Sequence, residues 1–156
     1  MTTPSERIWA ELSAQGDDGT GDAGVRATLP AKPQNPETLA RVAGRVATGI
    51  PLRAAAADFL DDLRWARDGD DVATRIATEP SRVDAHTDAY LAALAEHVAY
   101  HADVRVPRWA VQPDRFLDHF WWPSRTKALR GRAIVESPAA FRRRGIFIGA
   151  TTLKRV

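Results

Sequence analysis

The chain has 156 residues, no cysteine and a formal net charge of +2. That length suits a domain that buries enough surface to fold unaided, and the lack of cysteine excludes disulfide frameworks, thiolate catalysis and Cys-based zinc sites. No run approaches the ~20 apolar residues of a membrane span, and MTTPSERIWAEL lacks the basic-then-apolar order of a signal peptide, so the expectation is a cytoplasmic protein without a membrane partner.

Alanine is abundant and β-branched runs are few, so most segments read as helices. Thr3 as cap, Pro4 in the first turn and Ile8, Trp9 and Leu12 on one face predict a short first helix. QGDDGTGDAG, Gln15 to Gly24, reads as a loop. With Pro30 and Pro33 following, residues 1–34 are expected to form a flexible arm carrying that one helix. Residues 35–156 are expected to form a helical domain with a basic C-terminal third.

Asn35 and Pro36 predict the start of the next helix, with Leu39, Val42, Ala43 and Val46 as its stripe and Gly49 as its end. Pro51 opens another, with Leu52, Ala56, Phe59, Leu60 and Leu63 on one face. Gly69, Asp70 and Asp71 are expected to break the chain before a short helix through Val72 and Ile76, closed by Glu79-Pro80. Ser81 and Asp84 resemble a capping box for the longest helix, whose spacing runs from Val83 through Tyr90, Leu91, Leu94 and Val98 to about Tyr100. Asp103 to Val111 is expected to be extended. PDRFLDHFWW predicts a helix from Pro113 to Pro123. Ser124 is expected to cap a helix through Leu129, and Ser137 the last one. Ile146, Phe147 and Ile148 read as a short extended segment. The fold class is all-α.

His97 and His101 lie four residues apart on one helix face, a spacing that can hold a metal. A zinc site needs at least one more ligand, and H-E-x-x-H is absent. Two ordinary helix histidines are the simpler account, and no metal is assigned. The pairs Asp17-Asp18, Asp61-Asp62 and Asp70-Asp71 diverge on a helix and make no acid/base pair. G-x-S-x-G, P-loop and G-x-G-x-x-G motifs are absent, and GDDGTGDAG lacks calcium-loop spacing. The expectation is no catalytic residue, no cofactor and no enzyme.

The charge is divided. Residues 1–103 hold 10 Lys+Arg against 17 Asp+Glu, a net of −7, and residues 104–156 hold 12 against 3, a net of +9. The basic third either meets an acidic partner or packs on the acidic part of its own chain. In SPAAFRRRGIFIG, a helix begun at Pro138 puts Arg142, Arg143 and Arg144 in its last turn and Gly145 at the left-handed position beyond it. Three consecutive arginines span most of a helix circumference, so at least one faces outward. Trp109, Phe116, Phe120, Trp121 and Trp122 are too many for one narrow helix face. Some belong to the core, and Trp121 or Trp122 is expected near the surface beside Arg125 and Lys127, where aromatics and arginine favour interfaces. Arg130, Arg132 and Arg142 to Arg144 also suit phosphate contacts, so nucleic acid is the second partner class.

The block from ALAEHVAYHADVRVPRWAV through DRFLDHFWWPSR to LRGRAIVESPAAFRRRGIFIGATTLKRV resembles the C-terminal region of small actinobacterial antitoxin-like proteins paired with nucleotidyltransferase-type toxins. The resemblance covers roughly residues 91–156. It implies a non-enzymatic protein that binds and neutralises a cognate toxin enzyme, with a nucleic-acid-binding regulator as the alternative. The surface so expected comprises Trp121, Trp122, Arg125, Arg130, Arg132, Phe141, Arg142, Arg143 and Arg144.

Overall fold

The structure is a computed structural model, and it describes residues 34–154. The expected arm and its short helix lie outside the described residues, Gln34 apart. The described residues form six α-helices and four short 3-10 helices, three of which lie between the fourth and fifth α-helices. We label them α1 (Leu39–Ala47), α2 (Leu52–Leu63), α3 (Gly69–Ala77), α4 (Ala85–His101), α5 (Arg130–Glu136) and α6 (Ala139–Arg142). The fold is all-α, as the spacing predicts, and among the described residues no helix is long and apolar enough to cross a membrane.

Helix α4 is the axis of the domain. Its Leu91, Ala92, Leu94, Ala95, Val98 and Ala99 are all buried. The apolar positions run round the whole helix, as expected of one wrapped on several sides. Helices α1, α3 and α6 pack on it, together with the 3-10 turns Arg108–Val111 and Pro113–Arg115. Phe59, Leu60 and Ile76 complete the core, each side chain worth roughly 1.5–3 kcal/mol on burial.

The helix starts differ from the expectation because other side chains than the expected ones cap them. Helix α1 begins at Leu39, with Thr38 Oγ1 accepting from the Arg41 amide at 3.2 Å. Asn35 and Pro36 stay outside it, since the Glu37 amide donates to Asp62 of α2 at 2.8 Å. Asp68 caps α3, so Gly69, Asp70 and Asp71 form its first turn rather than a break. Asp84, not Ser81, caps α4, accepting from the Thr87 amide at 3.0 Å. Asp103 sits at φ 53 just beyond α4, and a 3-10 turn follows Pro107 where an extended run was expected.

The helix expected over PDRFLDHFWW does not form. One 3-10 turn, Pro113–Arg115, is followed by irregular chain to Trp122. That chain finds its hydrogen bonds elsewhere: Trp121 N–H donates to Gly145 O at 2.8 Å, and Phe147 N–H to Trp121 O at 2.9 Å. Trp121 and Ile146 thus form a parallel bridge, and Ile146, Phe147 and Ile148 are the expected buried extended segment. Ser137 does not cap α6. Its hydroxyl donates to Ile146 O at 3.0 Å and accepts from Ile148 N–H at 3.3 Å. The helix expected from Ser124 starts later, as a 3-10 turn Lys127–Leu129 running straight into α5.

Candidate partner-binding surface

The three consecutive arginines divide by burial. Arg142 is exposed and meets no carboxylate among the described residues. Arg143 is half-exposed, with Nη2 3.1 Å from Glu96 and its guanidinium 5.6 Å from the Phe116 ring centre. Arg144 is wholly buried. It donates to Glu96 Oε2 at 2.6 Å, to Ala140 O at 2.7 Å and to Ala110 O at 2.6 Å. Burial lowers its pKa from the ordinary arginine value, while Glu96 pulls the other way. Phe141 is also wholly buried, edge-on to Tyr90 at 5.2 Å. Arg144 and Phe141 are therefore core residues and not members of a docking surface, because α6 lies on α4 with that side inward.

Much of the basic third is spent within the chain. Besides Glu96, which holds Arg143 and Arg144, Glu79 accepts from the buried Arg115 at 3.0 Å, and Asp88 lies 3.8 Å from it. Arg115 also stacks on Trp109, 5.1 Å from the ring centre. Arg75 pairs with Asp62 and, at 3.2 Å, with Asp71. Arg132 pairs with Glu136. Packing of the basic third on the acidic part of the same chain accounts for Arg115, Arg143 and Arg144, whereas Arg125, Lys127, Arg130 and Arg142 are exposed and reach no carboxylate among the described residues.

The two tryptophans are half-buried and face different neighbours. Trp121 stacks on His86 with centroids 4.5 Å apart, and His86 Nε2 lies 3.0 Å from His119 Nε2. Trp122 stacks on Phe147 at 5.2 Å, and the Arg130 guanidinium lies 5.3 Å from its ring centre. Phe120, next to both, is 70% exposed. Aromatic and arginine side chains are thus brought together at Phe120, Trp122, Arg130 and Phe147.

Sequence reasoning missed the apolar part of this surface. Only Ala133 of α5 is buried. Ile134 is exposed, and Val135 is 79% exposed. Gly131, Ile134 and Val135 follow the i, i+3, i+4 spacing and share the face turned away from the core. A Cβ added at Gly131 would meet nothing within 4 Å. The signal in the sequence was GRAIVE itself, a helical turn with two branched apolar residues.

Behind α5 lie two adjoining hollows of about 340 and 460 Å³ that share Arg53, Tyr90, Pro123, Ser124 and Thr126. Further along α4, the His97 and His101 rings meet with centroids 4.3 Å apart. Burial, with the charge of His101, pushes the His97 pKa down to about 4. Among the described residues no group of three or more histidine, aspartate or glutamate side chains converges as a metal site. The chain matches no protein-family model, no curated protein and no solved structure.

Proposed function

We propose that this chain is an antitoxin-like protein that binds and neutralises a partner enzyme through α5 and the loop before it. The observation that carries the reading is the exposure of Phe120, Ile134 and Val135, together with four cations, Arg125, Lys127 and Arg130 on the same stretch of chain and Arg142 on α6, that lack carboxylate partners among the described residues. Branched apolar side chains on a helix face, ringed by arginine, suit a protein surface with an apolar centre and an acidic rim. Solvation alone would favour polar residues at these positions. The resemblance of residues 91–156 to antitoxin-like proteins supplies the partner class, a toxin enzyme of nucleotidyltransferase type. Such an enzyme holds metal with carboxylates, and unpaired guanidinium groups are suited to cover that charge.

The same four cations support a second reading, nucleic-acid binding, in which affinity falls steeply with salt. Ile134 and Val135 favour the first, since an exposed branched pair gains little from a phosphate backbone.

Co-expression with the protein encoded by the adjacent gene, followed by size-exclusion chromatography, tests the reading. The expected result is a stable complex that relieves growth arrest. Ile134→Glu with Val135→Glu is expected to abolish the complex while leaving thermal unfolding unchanged, because neither side chain is part of the core. A complex unaffected by that double substitution would place the interface elsewhere. Salt-sensitive retention of DNA or RNA without any protein complex would favour the second reading.

A further inference from the structure

We propose that the cleft between the start of α2 and the Trp121–Thr126 segment binds the phosphoryl group of a small molecule. The two adjoining hollows behind α5 make this cleft, and each is of a size that suits a small ligand. Three independent features converge on it.

The first is a pair of donors without partners. Tyr90 is only 2% exposed, its ring packed against Phe141 and Trp121 at 5.2 and 6.4 Å. Its side chain lines both hollows, and its hydroxyl makes no hydrogen bond among the described residues. Burial pushes the phenol pKa up to about 12, while the charge of Arg53 acts the opposite way. Tyr90 is therefore a protonated donor at neutral pH. The Trp122 indole N–H, at the wall of the first hollow, is itself buried and has no partner among the described residues. Buried polar groups almost always have one, and one that lacks it at a cavity wall marks a place for a ligand or water.

The second feature is the start of α2. This helix has 12 residues, and Pro51 caps it with no side-chain acceptor for its first amides. Leu52 and Arg53, its first two residues, line the second hollow. Free amides and the positive end of the helix dipole favour an anion there.

The third is charge. Arg53, Arg125 and Arg130 line the cleft, and none pairs with a carboxylate among the described residues. Glu136, the carboxylate at the wall of the first hollow, is already held by Arg132 and by the Ala150 N–H at 2.9 Å. Ser124 and Thr126 add hydroxyl groups. A phosphoryl dianion, with three terminal oxygens, uses this many donors and this much positive charge, and a carboxylate does not. A small molecule fits better than a polynucleotide because the unpartnered phenol belongs to a side chain buried in the core.

Binding is measured on the full chain alone, so the result is independent of any toxin partner. The probes are inorganic phosphate, ribose 5-phosphate, adenosine monophosphate and a short single-stranded oligonucleotide. The readouts are calorimetry and tryptophan emission, since Trp121 and Trp122 border the cleft. At least one of the small phosphates is expected to bind and to alter the emission. Arg53→Gln is expected to weaken that binding about tenfold or more, the loss of a charge-assisted contact. Tyr90→Phe, which keeps the packed ring, is expected to weaken it several-fold with the unfolding midpoint preserved. No binding of any small phosphate at millimolar concentration would overturn the proposal. So would binding unchanged by both substitutions, or binding of the oligonucleotide alone.

Discussion

Two glycines with the same backbone hand have different costs of replacement. Gly145 ends α6 at φ 76, and the Ile146 and Gly145 amides turn back to Phe141 O and Arg142 O, each at 3.0 Å. This is the six-to-one and five-to-two pattern of a left-handed helix end. Gly49 ends α1 in the same way at φ 104. A Cβ at Gly145 would lie 2.8 Å from His119 O, whereas at Gly49 it would meet nothing within 4 Å. Gly49→Ala is therefore expected to cost about 1 kcal/mol, the backbone strain alone. Gly145→Ala is expected to cost at least about 2–3 kcal/mol, since the His119 backbone must move as well. Urea unfolding of the two variants measures the difference. The adjacent arginines offer a second contrast. Arg144→Met strands two buried carbonyls and leaves Glu96 with Arg143 alone, and is expected to cost about 3 kcal/mol. Arg142→Met, on the surface, is expected to stay within about 0.5 kcal/mol. A run of three identical letters gives no hint of this division, which depends on which side of α6 meets α4.

Helices α4 and α5 stand at opposite ends of a range. The first is enclosed by its neighbours, and the second contributes one buried residue. The first turn of α5 contains a glycine, which weakens a helix relative to alanine. Gly131→Ala is expected to stabilise α5 by about 0.5–1 kcal/mol, because space is open and φ is not positive. Slower amide exchange across Arg130–Glu136, with α4 unchanged, is the measurement. The apolar spacing of α1, α2 and α4 was plain in the sequence, because amphipathic periodicity is a local property. Their caps were less plain, since Asp62 draws the Glu37 amide from 25 positions away in sequence. FLDHFWW failed as a helix for the same reason. Its backbone partners lie beyond α6, and no local pattern encodes a bridge between Trp121 and Ile146. Of the candidate surface, the basic and aromatic residues Trp122, Arg125 and Arg130 were legible. Ile134 and Val135 were not, because an apolar pair in a helix reads as core until its neighbours are known.

At the scale of the whole molecule, charge is sorted by depth. Arg75, Arg115 and Arg144 are buried against carboxylates, where salt screens them little, while Arg125, Lys127 and Arg130 lie in solvent. Added salt is thus expected to weaken complex formation with an acidic partner while leaving the unfolding midpoint nearly fixed, as parallel chromatography and thermal melts would reveal. Acid acts on the fold through a different group. The His97 pKa lies near 4 in the native state against an ordinary 6.5. Below pH 6.5 the unfolded chain binds a proton that the native chain refuses, so stability falls as pH drops from about 6.5 to 4 and then levels off. Allowing for the partial exposure of His97, this loss is expected to be about 1–2 kcal/mol. His97→Gln should flatten that part of the curve in urea titrations across this pH range.

The Glu96–Arg144 contact joins positions 48 residues apart. Phe141 covers Tyr90 and sits 6.2 Å from His97, ring centre to ring centre. A nascent chain builds α4 well before it builds this cover. Until residues 141–148 have left the ribosome, one flank of the central helix stays bare and Glu96 has no guanidinium. The half-made protein is then a substrate for chaperones and proteases, and docking of residues 141–148 on α4 is the event that withdraws it from them.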